Sequence, residues 1–291
     1  MPRLIEDYSA GITNASKSVL LELFTILGTY RDSMVLIGGW VPYFLLEIHK
    51  KKDDFFQHIG SIDIDIAVNP EEIPPKTYAT IVELIQERGY KPRESVKGEK
   101  IHYSFNRTIT SPYDDKEYTV GVDFLTVPES EAQAKKHRHR KVQPDLMARI
   151  SKGYEIVFKH NFQYRLTGIL PDNGENNVDI KVADIVSLLA TKGILLGERF
   201  REKDAYDLFL VMRHYKDGPK SVAEEIKPFI KNKVLKEAID NIKDKFEKID
   251  SAGPSWVAKF FHPAKEDEGA RKRIQAEAYV TFREFFDQLK P

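Results

Sequence analysis

The segment Ser61–Val68, SIDIDIAV, constrains this chain more than any other stretch. Through most of its length it alternates with the period of a β-strand, in which successive side chains point to opposite faces. Ile62, Ile64 and Ile66 are therefore expected on a core-facing side, with Asp63 and Asp65 together on the other. Two like charges on one strand face do nothing for sheet stability. A divalent cation with hard oxygen ligands would relieve the repulsion. A wet sheet face would carry the same pattern, so the context has to choose between the two.

Upstream, Ser33–Ile37 is a short β-branched and apolar run stopped by Gly38-Gly39, and Pro42 stands where the first turn of a helix tolerates it. The helix continues over Tyr43–His49. A double glycine between strand and helix lets backbone amides approach a phosphate, and the helix N-terminus adds partial positive charge. Lys50–His58 is polar and reads as a loop. Ser18–Thr29 has helical spacing, and Ile81–Arg88 is a helix closed by Gly89. Ile101–Phe105 and Tyr118–Val127 read as strands, and Val122-Asp123-Phe124 places a lone acid between apolar neighbours. Asp123 is the candidate third carboxylate, able to complete a metal site and to take a proton from an attacking hydroxyl.

Further on, Glu155–Phe158, Tyr164–Ile169 and Asn177–Lys181 read as short strands, with a turn at Asp172-Asn173-Gly174. From Ala183 the pattern is helical, broken near Gly218-Pro219 and Gly253-Pro254, and it ends in a helix over Ala270–Leu289. The fold class expected is α+β: a mixed sheet with flanking helices in residues 1–180, its core about 18–130, and a helical domain in 181–291. A chain of 291 residues has room for both.

Composition narrows the chemistry. The absence of cysteine excludes disulfides, thiolate nucleophiles and zinc–thiolate sites. Forty-five basic residues balance 45 acidic ones, which argues against an overall basic nucleic-acid coat but leaves local patches open. The N-terminus lacks an apolar signal core, and Met34–Ile48 is interrupted by Gly38, Gly39, Pro42 and Glu47. A cytoplasmic location with no membrane partner is expected. The densest basic cluster, Lys135–Lys141, could meet a nucleic-acid backbone or a triphosphate, although Glu129, Glu131 and Asp145 nearby fit a solvated linker equally well. His137 and His139 lack an evident third metal ligand. Trp256, Phe260 and Phe261 are expected to pack the helical domain rather than to stack on a base.

The order Gly38-Gly39, then Ser61-Ile62-Asp63-Ile64-Asp65-Ile66, then Val122-Asp123-Phe124 resembles the signature of the DNA polymerase β-type nucleotidyltransferase superfamily. Asp184–Leu210 is similar to the helical segment of AbiEii-type nucleotidyltransferase toxins, whose Lys, Arg and Lys/Arg-Asp-x-x-Asp-Leu pattern falls on Lys192, Arg199, Lys203, Asp204, Asp207 and Leu208. The resemblance covers about residues 33–68, 118–127 and 180–211. It departs from the family where Trp40 follows Gly39 in place of a nearby Ser or Thr, and where Lys50–His58 lengthens the gap to Asp63.

The resemblance implies two Mg2+ ions, with Mn2+ as a substitute, on Asp63, Asp65 and Asp123. A nucleoside triphosphate would lie against Gly38, Gly39, Ser61, Lys192, Arg199 and Lys203, with Asp204 and Asp207 orienting Lys203 or Arg199. The expected activity is transfer of a nucleoside monophosphate to an acceptor hydroxyl on a tRNA end or a protein. The resemblance extends to a toxin role with a cognate antitoxin as partner. Competing readings are a small-molecule (antibiotic-type) nucleotidyltransferase, a non-catalytic nucleotide-binding antitoxin-like module, and a purely structural acidic face.

Overall fold

The computed structural model describes residues 5–74, 79–130, 138–263 and 268–290. The chain divides into two compact units. One comprises Ser9–Trp40 and Ile59–Ala183; the other gathers the segment up to Tyr8, Val41–His58 and everything from Asp184 onward.

The first unit is a mixed sheet. In chain order its strands are β1 (Met34–Ile37), β2 (Asp63–Val68), β3 (Lys91–Glu94), β4 (Lys100–Thr110), β5 (Glu117–Thr126), β6 (His139–Lys141), β7 (Met147–Ile150), β8 (Asn161–Ile169) and β9 (Glu175–Ala183). Across the sheet they run β3-β4-β5-β2-β1-β9-β8, with β7 joined to β5 and β6 to β7. β2 lies parallel to β5 and antiparallel to β1, and β1 lies parallel to β9. The β8–β9 hairpin closes at Asp172-Asn173-Gly174, where Asn173 takes the left-handed conformation that asparagine tolerates.

Helix α1 (Ala10–Ile26) covers one face of this sheet. Ile64, Ile66, Phe105, Val120, Val122 and Phe124 are buried, and Phe105 meets Phe124 edge-on with ring centroids 5.9 Å apart. Arg107 shares that face and reaches Glu22 of α1 through two hydrogen bonds of 2.9 and 3.0 Å. Helix α3 (Ile81–Glu87) opens with a capping box in which Thr80 and Glu83 each satisfy the other's backbone amide. It ends before Gly89, whose φ of +82° suits only glycine well.

β5 pairs with β4 up to Ser104↔Asp123, but from Leu125 its neighbour is β7, with Leu125 opposite Arg149. The β3–β4 register jumps at the same level, from Pro92↔Phe105 to Arg93↔Ile101. The sheet therefore splits immediately beyond Asp123.

The second unit is helical: α2 (Trp40–His49, whose first residue belongs to the sheet unit), α4 (Ile185–Glu198), α5 (Glu202–His214), α6 (Pro219–Ile226), α7 (Lys233–Lys245), α8 (Ala252–Phe261) and α9 (Glu268–Leu289). Phe246 stacks on Phe282 at 3.7 Å between ring centroids. α4 meets α7 at Gly193, where a Cβ would come within 2.6 Å of the Ala238 carbonyl oxygen. No helix among the described residues is long and apolar enough to cross a membrane.

Several expectations need correction. Glu155–Phe158 forms turns instead of a strand, and Ile156 and Val157 are buried without pairing. The break expected near Gly253-Pro254 falls at residues 246–251, between α7 and α8, and the pair itself lies inside the first turn of α8, where proline is tolerated. Ile62 is half-buried and precedes β2. The segment 41–58 belongs with the helices: Phe44, Leu45 and Leu46 are buried, and Asp54 and His58 bond to His214 and Asp207 of α5. The strands expected at 164–169 and 177–181 belong to longer strands β8 and β9, and β9 joins the sheet beside β1.

Candidate active site

The three aspartates meet on the face of the sheet opposite α1. The parallel register sets Asp65 opposite Asp123 and Asp63 opposite Gly121. Adjacent strands lie about 4.8 Å apart, so Asp65 and Asp123 are immediate neighbours and Asp63 is one side-chain step along the same face. All three are half-buried, and none turns into the hydrophobic interior. Ile37 pairs with Asp65 on the other side, which brings Gly38 directly past the end of β1 beside that carboxylate.

Three glycines make room for this arrangement. A Cβ on Gly38 would come within 2.9 Å of both Cβ and Cγ of Asp65, and the φ of Gly38 is +73°. A Cβ on Gly39 would lie 2.5 Å from Ser61 Oγ, and one on Gly121 would lie 2.9 Å from Asp63 Oδ1. The backbone is thus bare where the acidic strand and its preceding serine lean over it. Ser61 donates to the Asp63 carbonyl oxygen at 2.9 Å and supplies the hydroxyl beside the turn. Trp40, buried at the start of α2, serves packing: its indole nitrogen donates to Ser16 at 3.2 Å and its ring lies against Gly60.

Asp123 is held from the β4 side. Ser104, only 2% exposed, donates to Asp123 Oδ1. Arg93 Nη1 lies 3.9 Å from the same oxygen and 3.5 Å from Ser104 Oγ. Arg93 Nη1 is also 3.5 Å from the point a Cβ on Gly121 would occupy, the point that Asp63 Oδ1 approaches. With the carboxylates arranged this way, no three acidic or imidazole groups among the described residues converge to grip one ion. The donor chemistry nevertheless fits divalent ions such as Mg2+: three hard carboxylates share one face beside glycines that leave them room.

In the helical unit, Lys192, Arg199, Lys203, Asp204 and Asp207 build a buried charge cage. Lys192, 5% exposed, donates to Asp204 at 2.6 Å and to Asp207 at 2.8 Å. α4 stops at Glu198 and Arg199 is its extended C-cap, from which the guanidinium donates to Asp204 at 2.9 and 3.1 Å. Lys203 donates to Asp207 at 2.5 Å and sits over the Tyr8 and Tyr206 rings. Seven residues of helix would set Lys192 and Arg199 on one face, but Arg199 lies past the end of α4, and both side chains pair with carboxylates. Burial opposes charge on Lys192, but Asp204 and Asp207 outweigh it and raise its pKa. Burial acts against Asp207 likewise, and Lys192 and Lys203 hold it well below the carboxylate range.

His58 completes the cage with Nε2 3.0 Å from Asp207 Oδ1. Burial and the Lys203 charge lower its pKa to about 4 against the pull of Asp207, so the ring is neutral and donates. No motif pointed to His58, Ser104 or Arg93. Their roles follow from which strands and loops become neighbours.

Of the basic cluster, Lys135, Lys136 and His137 lie outside the described residues. Arg140 pairs with Glu71 at 2.7 Å, whereas His139 joins a basic and aromatic patch where β7 replaces β4. Tyr103 stacks on His139 at 4.9 Å between centroids, and the Arg149 guanidinium lies 6.0 Å from the Tyr103 ring. Arg149 Nε is buried with no hydrogen-bond partner among the described residues. Burial first, and then the charges of Arg149 and Arg138, lower the pKa of His139. Phe260 and Phe261 pack on Tyr206, and Trp256 meets Phe200 edge-on.

No protein-family model matches the sequence, and a search of curated proteins finds no match.

Proposed function

We propose that the chain is a metal-dependent nucleotidyltransferase whose site is the acidic face of the sheet. The observation that carries this reading is the in-register adjacency of Asp65 and Asp123, with Asp63 on the same face and Gly38 bare beside them. Asp63, Asp65 and Asp123 would hold two Mg2+ ions, or Mn2+ in their place. Such ions, when bound, neutralise phosphate charge and acidify an attacking hydroxyl. Gly38, Gly39 and Ser61 would line the donor triphosphate, since a bare turn and a hydroxyl are what close approach of phosphate oxygens requires.

In the transfer, the acceptor oxygen bonds to the α-phosphorus of the nucleoside triphosphate as the bond from that phosphorus to pyrophosphate breaks. The hydroxyl proton passes to the Asp123 carboxylate and then to solvent. Lys192, Arg199, Lys203, Asp204 and Asp207 enter as a structural cage. The patch of Tyr103, His139 and Arg149 favours a nucleic-acid acceptor such as a tRNA end over a protein or a small alcohol, because it combines a stacking surface with cations. A toxin role with a cognate antitoxin is carried by the resemblance of 184–210.

The test is a labelled-nucleotide transfer assay with Mg2+ or Mn2+ against RNA, protein and small alcohols, run on the natural chain and on Asp63→Asn, Asp65→Asn and Asp123→Asn. Transfer abolished by each substitution supports the proposal, and absence of transfer with any nucleotide refutes it. Metal-dependent nucleotide binding without turnover would favour a non-catalytic nucleotide-binding module.

A further inference from the structure

We infer that Arg93 and Ser104 form a latch that holds Asp123 away from its two partner carboxylates and that divalent metal must displace. The inference rests on the proposed metal role of Asp63, Asp65 and Asp123. Three observations converge on it. The trio lies on one face in register, yet as the side chains stand no three acidic or imidazole groups among the described residues could hold an ion together. Asp123 Oδ1 is engaged by Ser104, a buried serine of the neighbouring strand, and by Arg93 at 3.9 Å. Arg93 projects from the edge strand β3 at the β3–β4 register jump, and its side chain remains 43% exposed.

The physical consequence is competition. A guanidinium beside the acidic face occupies part of the space and charge that an incoming cation needs, and it repels that cation. Because Arg93 is well exposed, its hold on Asp123 is weak and yields to metal at low cost. Ser104 sets direction: its hydroxyl fixes the Asp123 rotamer, and breaking that bond frees the carboxylate to turn toward Asp65. Arg93 and Ser104 are positioning residues here, acting through Asp123.

Mn2+ affinity of the full chain, measured by calorimetry and by paramagnetic relaxation without nucleotide, tests the latch independently of turnover. Arg93→Ala should tighten Mn2+ binding by about two- to five-fold at low ionic strength, the range expected for an exposed pair. Ser104→Ala should also tighten it, whereas Arg93→Lys should stay close to the natural chain because the positive charge remains. High salt should shrink the Arg93→Ala effect, since exposed charges are screened. Mn2+ binding by the natural chain that Arg93→Ala leaves unchanged or weakens overturns the latch alone. Mn2+ binding by neither chain overturns the metal site and the latch together.

Discussion

The carboxyl-bearing carbon of Asp65 lies 2.9 Å from where a Cβ on Gly38 would be. The turn residue and the acidic strand therefore depend on each other. Any side chain at position 38 must both adopt a φ of +73° and push Asp65 aside.

Gly98 provides the control for that claim. Its φ is +79°, and a Cβ there would meet nothing within 4 Å. Gly98→Ala should cost only the left-handed backbone penalty, about 1 to 2 kcal/mol. Gly38→Ala should cost more by urea denaturation and should also weaken Mn2+ binding. Equal losses for the two variants would remove the steric coupling.

The acidic face should itself be a stability liability. Asp65 stands directly opposite Asp123, and like charges across strands destabilise by a fraction of a kcal/mol to about 1 kcal/mol. Asp65→Asn should therefore raise the Tm of the metal-free protein slightly while abolishing the Tm increase that Mn2+ with nucleotide produces. A variant that keeps the ligand-induced increase would argue against Asp65 as a metal ligand.

The charge cage should be costly to open. Lys192 is the cation shared by Asp204 and Asp207, and removing one partner of a buried ion pair typically costs about 3–5 kcal/mol. Lys192→Met should show a loss of that order in chemical denaturation. A loss below about 1 kcal/mol would mean that Arg199 and Lys203 suffice to balance both carboxylates.

Acid stability should carry the signature of His58. Its folded-state pKa is about 4 against an ordinary 6.5, so between those values the unfolded chain binds the proton and the folded chain resists it. Stability is then lost as pH falls through that window, by about 3 kcal/mol from this group. Asp204 and Asp207 shift downward from the ordinary carboxylate value, so their contribution disappears mainly at lower pH. Urea midpoints between pH 6.5 and 4.5 should slope less steeply in His58→Gln than in the natural chain. Parallel slopes would place the titration elsewhere.

The local chemistry was legible in the sequence wherever it obeys a short period. Alternation alone separated Asp63 and Asp65 from Ile64 and Ile66, and the glycine pair marked the turn between β1 and α2. Asp123 stood out as an acid among apolar strand residues. The short strands β3, β6 and β7 carry no apolar alternation and exist because neighbouring strands pair with them. Glu155–Phe158 has strand-like composition but no partner, so it remains a turn.

What the tertiary structure alone decided is adjacency. Parallel pairing of β2 with β5 makes Asp65 and Asp123 neighbours although they lie far apart in the chain, and the register slides Gly121 under Asp63. Helical spacing put Lys192 and Arg199 on one face, but the end of α4 at Glu198 and the return of α5 drew both charges onto Asp204. Periodicity assigns a side chain to a face of its own element. Which charges meet across that face depends on long-range packing, and packing directs Lys192 to buried carboxylates and Arg93 to Asp123.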